Sequence, residues 1–114
     1  MITRYESNDR LSKVLVANGF AFLSGLTAKD RDGDVAAQTA DILAQIDTYL
    51  AMAGTDKSKI VVGNIWLKDA ATFNEMNAAW EAWVDPQATP ARATVESRLA
   101  HDSILVEIQV QALV

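Results

Sequence analysis

The sequence has 114 residues, of which 50% are apolar and 22% are charged, as is ordinary for one folded globular domain. Ten basic residues against fifteen acidic ones give a net charge of −5, which disfavours nucleic acid as a partner because phosphate groups are repelled. Cysteine is absent and histidine occurs once, so we expect neither disulfides nor a metal site.

The N-terminal segment does not resemble a secretory signal or a membrane anchor. Residues 1–10, MITRYESNDR, lack the apolar core that precedes a cleavage site. No apolar run approaches the roughly 18 residues that span a bilayer. We therefore expect a soluble, cytoplasmic protein with no membrane partner.

The first part of the chain is typical of β-structure. Residues 12–25, SKVLVANGFAFLSG, predict two short strands around Asn18-Gly19, a dipeptide typical of tight hairpin turns. Residues 1–6 predict a further edge strand. The polar, glycine-containing residues 26–34 predict a loop.

Two amphipathic helices are predicted from spacing and from their end signals. The first begins after an N-cap at Asp34 and ends at Gly54, and the second begins at Asp69 and ends before Asp85-Pro86. The stripe of the first helix consists of Val35, Thr39, Ile42, Leu43, Ile46, Leu50 and Ala53. The stripe of the second consists of Phe73, Met76, Asn77, Trp80 and Trp83 or Val84. Both stripes recur at three- and four-residue spacing, which predicts one buried face for each helix.

Residues 60–67, IVVGNIWL, are apolar on both faces and predict a central strand. The element order indicates an α+β fold with a single mixed β-sheet and two helices packed on one of its faces. The other face then needs a cover, and a second copy of the chain would supply it. We therefore expect a homo-oligomer.

Residues 90–110, PARATVESRLAHDSILVEIQV, predict a terminal β-hairpin with a turn at 99–102. In that register Thr94 lies opposite Glu107, and Arg92 lies diagonally from Glu107 on the same sheet face. One small ligand could then contact both charged side chains. A turn one residue longer or shorter would put them on opposite faces. A purely structural Arg–Glu pair at a subunit interface is the alternative.

Several motifs together resemble the reactive intermediate deaminase family (RidA or YjgF-like, also called the L-PSP endoribonuclease family). They are PARATVESRL followed by LVEIQV, the dipeptide Ser24-Gly25, DVAAQTADIL and MNAAWEAW, and the resemblance covers residues 1–114 as a single domain. It implies a homotrimer of chorismate-mutase-like subunits that bind ligands in clefts between neighbours. It also implies hydrolysis of small enamines and imines, such as 2-aminoacrylate, to 2-oxo acids and ammonia without metal or organic cofactor.

The resemblance assigns the two charged residues different roles. Arg92 stands where the family arginine binds the substrate carboxylate, a role that suits the planar, two-pronged guanidinium. Glu107 stands where the family glutamate holds and polarises the attacking water. These are the candidate catalytic residues, and the expected partner is an imino or oxo acid.

Four further residues match positions that border the ligand in the family. Ser24 and Gly25 lie at a strand end whose backbone approaches the ligand, although the dipeptide could equally form only a turn. Asn77 borders the cleft, or makes a structural hydrogen bond to the sheet. Thr94 replaces a frequent cysteine, and we expect its backbone to line the cleft and its hydroxyl to keep a polar contact.

One departure from the family pattern leaves the activity open. Leu11 occupies the place of a family tyrosine, so a non-catalytic module that binds small carboxylates is the alternative to a deaminase. Endoribonuclease activity is disfavoured by the acidic charge. His101 is interpreted as a solvated turn residue, and the three tryptophans as packing or trimer contacts.

Overall fold

The computed structural model describes residues 1–114 as seven strands in one sheet and two α-helices. The strands are β1 Ile2–Ser7, β2 Ser12–Ala17, β3 Phe20–Leu23, β4 Leu26–Thr27, β5 Ile60–Leu67, β6 Ala91–Glu96 and β7 Val106–Leu113. The helices are α1 Val35–Met52 and α2 Phe73–Trp83, and short 3-10 turns, Lys57–Lys59 and Ala70–Thr72, precede β5 and α2. The strand order is β1-β2-β3-β7-β5-β6, with β4 also paired to β7. The predicted α+β fold with one mixed sheet is confirmed.

The N-terminal strands form where the sequence predicts them. Asn18 and Gly19 both have positive φ, 52° and 83°, as the two central residues of a tight hairpin turn require. The predicted edge strand is β1, which pairs antiparallel with β2. The predicted loop at 26–34 is wrong for its first two residues, because Leu26 and Thr27 form β4 against β7. Two residues are too few to show a strand periodicity.

Both ends of α1 are closed by the predicted residues. Asp34 Oδ1 accepts a hydrogen bond from the Ala37 N–H at 2.9 Å. Gly54 has φ +82°, and its N–H donates to the Ala51 carbonyl, while the next N–H, that of Thr55, donates to the Leu50 carbonyl. This pair of bonds is the Schellman pattern, which closes a helix with a left-handed residue.

The start of α2 differs slightly from the prediction. Asp69 accepts a hydrogen bond from the Ala71 N–H at 2.9 Å, but the turn that it caps is of the 3-10 type. The α-helix itself begins at Phe73 and ends at Trp83.

Removal of either α1 end signal should lower the free energy of unfolding. Asp34→Ala should cost about 0.5–2 kcal/mol because one helix N–H loses its acceptor. Gly54→Ala should cost about 1 kcal/mol because alanine is strained at positive φ. Urea denaturation measures both changes. Asp32→Ala, at an exposed loop position, is the control, and an equal loss in that variant would contradict a capping role for Asp34.

The hydrophobic core lies between the sheet and the two helices. Val106, Ile108, Val110 and Ala112 alternate along β7 and are completely buried on the helix-packed face. The opposite face, here called the helix-free face, is uncovered within the chain. Its exposed apolar side chains include Phe22, Val95 and Leu113, which are 37%, 51% and 45% exposed.

The molecule is a slab of 41 × 37 × 20 Å, as expected for a sheet with one layer of helices. Neither α1 nor α2 has both the length and the apolar content that crossing a lipid bilayer requires.

The predicted terminal hairpin is wrong, because β6 and β7 do not pair. Strand β5 lies between them, parallel to β6 and antiparallel to β7. The segment β5-α2-β6 is a βαβ unit, in which the helix carries the chain back so that the second strand runs parallel to the first. Residues 97–105 are consequently a crossing loop past the end of β5. A hairpin and this arrangement show the same alternation of side chains, so the alternation does not distinguish them.

Candidate functional site

Arg92 is held beneath α2 by three side chains of that helix. Its Nη1 donates a hydrogen bond to Asn77 Oδ1 at 2.7 Å. The guanidinium carbon lies 5.4 Å from the ring centroid of Trp80 and 5.7 Å from that of Phe73. Phe73, Asn77 and Trp80 are separated by four and three positions along α2, so they share one helix face. We call Arg92, Asn77, Trp80 and Phe73 the arginine half.

The packing of the arginine half depends on a glycine in the central strand. Gly63 pairs with Arg92 across β5 and β6. A Cβ at Gly63 would lie 3.3 Å from Trp80 Cη2 and 3.9 Å from Arg92 Cγ. Because Gly63 has no side chain, the buried Trp80 packs directly on the sheet beside Arg92.

Asn77 accepts a hydrogen bond from the side chain of Arg92 in strand β6, an arrangement compatible with both sequence alternatives, a cleft residue or a structural bond to the sheet. A neutral amide orients a guanidinium without neutralising its charge, whereas a carboxylate would neutralise it. The positive charge of Arg92 is therefore available to an anionic ligand.

Thr94 lies two residues further along β6 on the same helix-packed face, opposite Ile65 in β5. Its Oγ1 is buried and has no hydrogen-bond partner. The expected polar contact of the hydroxyl is absent within the chain. Thr94 lies on the edge strand β6, whose outer backbone groups have no partner strand within the chain.

Glu107 lies on the helix-free face, beside Ser24 and Gly25, which link β3 to β4. A Cβ at Gly25 would overlap the carboxylate oxygen Oε2 of Glu107, so glycine is what allows this close approach. Ser24 Oγ donates to the Ser12 carbonyl at 2.6 Å, which fixes the segment to β2. We call Glu107, Ser24 and Gly25 the glutamate half.

Arg92 and Glu107 do not meet within one chain, and their predicted position on one face is wrong. Arg92 shares the row of Gly63 and Val110 on the helix-packed face. Glu107 pairs with Trp66 on the other face. Across the sheet they are about 10 Å apart in the strand-pairing direction and about 10 Å along the strands. A small ligand cannot bridge that separation through the sheet.

A cavity of about 540 Å³ opens on the helix-free face next to the glutamate half. Its lining includes Ser24 and Gln109, and Gln109 projects from the same face of β7 as Glu107. Leu11 also lines the cavity and is 44% exposed, so the position of the family tyrosine faces this space.

Sequence reasoning missed the aromatic environment of Arg92. Trp80 was expected only to pack or to form trimer contacts, but it also flanks the guanidinium. The sequence signal that could have revealed this environment is the placement of Phe73, Asn77 and Trp80 on one helix stripe.

His101 lies exposed in the 97–105 loop, where its Nδ1 is 2.8 Å from Ser103 Oγ. No group of three His, Asp or Glu residues is arranged to hold a metal ion.

Comparison with known proteins agrees over the whole chain. A family model described as Endoribonuclease L-PSP matches residues 1–114. A RutC family protein of Haemophilus ducreyi is 41% identical over 100% of this chain and 97% of its own length. The RutC family protein YoaB of Escherichia coli is 38% identical over 99% of this chain and 98% of its own.

A solved structure extends the agreement to the fold. A member of the YjgF protein family from Neisseria meningitidis is 43% identical and superimposes with a TM-score of 0.96, covering 99% of this chain and 94% of that one. Family model, sequence relatives and structure all span the same residues. The chain therefore belongs to the RidA/YjgF family, whose model is described as Endoribonuclease L-PSP.

Proposed function

We propose that the protein hydrolyses small 2-imino acids and their enamine tautomers to 2-oxo acids and ammonia. The observation that carries this proposal is that the recorded contacts of the Arg92 guanidinium are all with neutral groups. The Arg92 side chain is oriented by the amide of Asn77 and by two aromatic rings, none of which neutralises it. A half-buried, oriented guanidinium is suited to a planar carboxylate, which accepts two parallel hydrogen bonds from it.

We further propose that the site is completed between subunits of a homotrimer. The two halves lie on opposite faces of one sheet, so a second chain must bring an arginine half to a glutamate half. The exposed apolar side chains of the helix-free face and the open edge of β6 support such an assembly. Ring closure by one repeated head-to-tail contact gives every subunit pair the same cleft.

The reaction needs one water molecule and a receiver for its proton. Arg92 of one subunit holds the substrate carboxylate, and Glu107 of the next accepts a hydrogen bond from water near the C=N carbon. An enamine first gains a proton on carbon to become the protonated imine. Water adds to the carbon of the protonated imine as one water proton passes to Glu107, and the nitrogen becomes an amine. Glu107 then gives that proton to the leaving amine. The C–N bond breaks as the hydroxyl proton passes to Glu107, which leaves a 2-oxo acid and ammonia, and the ammonia takes up this last proton to depart as ammonium.

The proposal is tested with 2-iminobutanoate generated in situ by an amino acid oxidase. Release of the 2-oxo acid is followed with and without the protein. We expect a rate above that of solvent hydrolysis. Because Leu11 leaves the cavity without the family tyrosine, a non-catalytic carboxylate-binding module is the second candidate. Binding of 2-oxobutanoate with no added rate would favour that candidate and contradict the deaminase.

The proposed assembly predicts the mass in solution. Light scattering at micromolar concentration should return three times the chain mass of 12.4 kDa. Val95→Glu should reduce that mass, because it places a charge at an exposed apolar position of the helix-free face beside the open edge. Lys59→Glu, at an exposed position outside the sheet, is the control. A wild-type mass of one chain would contradict the intersubunit site.

A further inference from the structure

The cavity next to the glutamate half contains two arginines that no role above requires. Arg4 and Arg10 both line it, together with one acidic residue, Asp9. Two positive charges and one negative charge give this lining a net charge of +1, whereas the whole chain carries −5. A locally positive cavity in an acidic protein favours an anion at that place.

Neither guanidinium group makes a hydrogen bond within the chain. Arg10 donates one hydrogen bond, and it does so from its backbone N–H, to Asn8 Oδ1 at 2.8 Å. Arg4 projects from β1 onto the helix-free face, in the row of Leu15 and Phe22. Their donors therefore remain available to a ligand.

The loop that presents Arg10 is ordered by its own hydrogen bonds. Asn8 Oδ1 accepts from the N–H groups of Arg10 and Leu11, at 2.8 and 3.0 Å. The Asn8 N–H donates to the Leu11 carbonyl at 2.9 Å, and the hydroxyls of Ser7 and Ser12 lie 2.7 Å apart at the base of the turn. A turn fixed in this way loses little conformational freedom when a ligand binds, which favours affinity.

The cavity lies close enough to Glu107 to take part of the same substrate. Gln109 lines the cavity and follows Glu107 by two residues on the same strand face, a separation of about 7 Å. A ligand whose C=N carbon faces Glu107 would therefore extend its side chain toward Arg10. Arg4 lies in the row of Phe22 and Gln111, three strands from β7 and about 19 Å from Glu107 between Cα atoms, and is too distant for direct contact with the same small ligand. The side chain of the ligand would then meet the positive charge of Arg10 beside Leu11, the position of the family tyrosine.

We propose that the cavity binds a second carboxylate, so that the preferred ligands are dicarboxylic 2-imino and 2-oxo acids. Arg10 makes the contact, and Arg4 adds positive charge to the cavity at longer range. The proposal rests on the proposed function for the first carboxylate, which Arg92 holds. Asp9 works against the second carboxylate by like-charge repulsion.

The test compares substrates of equal carbon number. Iminosuccinate is generated from aspartate by an aspartate oxidase, and 2-iminobutanoate is generated from 2-aminobutanoate. We expect wild type to show the higher kcat/KM for iminosuccinate. In Arg10→Ala the ratio of the two kcat/KM values should fall about tenfold or more, since a charge-assisted contact is lost. Asp9→Asn should raise the ratio, and Arg31→Ala, a distant exposed arginine, should leave it unchanged.

Calorimetry separates failure of this inference from failure of the proposed function. Titrations with 2-oxoglutarate and 2-oxopentanoate, again matched in carbon number, require no turnover. Tighter binding of 2-oxoglutarate that is lost in Arg10→Ala supports the cavity even if no imine is hydrolysed. Equal affinities for the two ligands, or a preference that Arg10→Ala leaves intact, would overturn it even if imine hydrolysis is fast.

Discussion

Glu107→Gln should retain binding of 2-oxo acids but lose most of the hydrolytic rate, by a factor of about 10² to 10⁴. Glutamine can accept a hydrogen bond from water through its amide oxygen, but it cannot take the proton when water adds to the imine carbon. The loss should therefore fall on kcat more than on KM, because the interaction is made in the transition state. The coupled imine assay measures the rate, and calorimetry with 2-oxobutanoate measures binding.

The matched control for this change is Glu81→Gln, at an exposed position of α2. It removes the same charge elsewhere on the chain and should leave the rate unchanged. Gly25→Ala provides an independent check, because a Cβ there would displace the Glu107 carboxylate. Full hydrolytic activity in Glu107→Gln would show that this carboxylate has no part in the reaction.

Arg92→Ala should weaken binding of 2-oxo acids by about tenfold or more, as expected when a bidentate contact to a carboxylate is lost. The substrate carboxylate is charged throughout the reaction, so substrate and transition state should lose similar stabilisation and KM should rise. Calorimetry with 2-oxobutanoate measures the affinity. Arg92→Lys should restore only part of it, because an ammonium group lacks the planar pair of donors.

Because Arg92 also contacts Trp80 and Asn77, its removal should affect stability as well. Urea denaturation and light scattering on the same samples separate the two effects. If Arg92→Ala and Glu107→Gln both weaken the assembly while binding and turnover per folded trimer are unaltered, the two residues are structural. Arg31→Ala controls for the loss of one positive charge.

The parts of the fold that local signals determine were predictable from the sequence. The turn at Asn18-Gly19 requires two residues with positive φ, and the end of α1 requires one at Gly54. Few residue types adopt that conformation at low cost, so their positions mark these features. The N-cap at Asp34 is equally local, because one oxygen accepts from an N–H three residues away.

The pairing of β6 was not predictable in the same way. A strand alternates its side chains whether it joins β7 as a hairpin or β5 through a helical crossover. The choice depends on where α2 packs, which is a tertiary property. The short spacing between β6 and β7 is typical of a hairpin, although a helix between two β-rich runs is also compatible with a βαβ unit.

The family resemblance proposed Arg92, Glu107 and Asn77 as site residues, and this assignment stays a prediction. The relative positions of these residues could not be predicted from the sequence. Arg92 and Glu107 lie on opposite sheet faces because β6 pairs with β5, and this separation is the reason for proposing a site shared by two subunits. The contribution of Arg10 depends on the cavity around it, since a charged turn residue is ordinarily solvated.

Subunit complementation tests the intersubunit site most directly. Arg92→Ala and Glu107→Gln chains are unfolded together in equal amounts and refolded as mixed trimers, and the rate is measured well below KM, where each variant alone should retain about a tenth of the wild-type rate or less. In a cleft shared by two subunits, one chain supplies an intact Arg92 and its neighbour an intact Glu107, so about a quarter of the clefts should be complete. We predict that imine hydrolysis returns to roughly that fraction of the wild-type rate. Mixed trimers that stay as inactive as either variant alone would contradict a site built from two subunits.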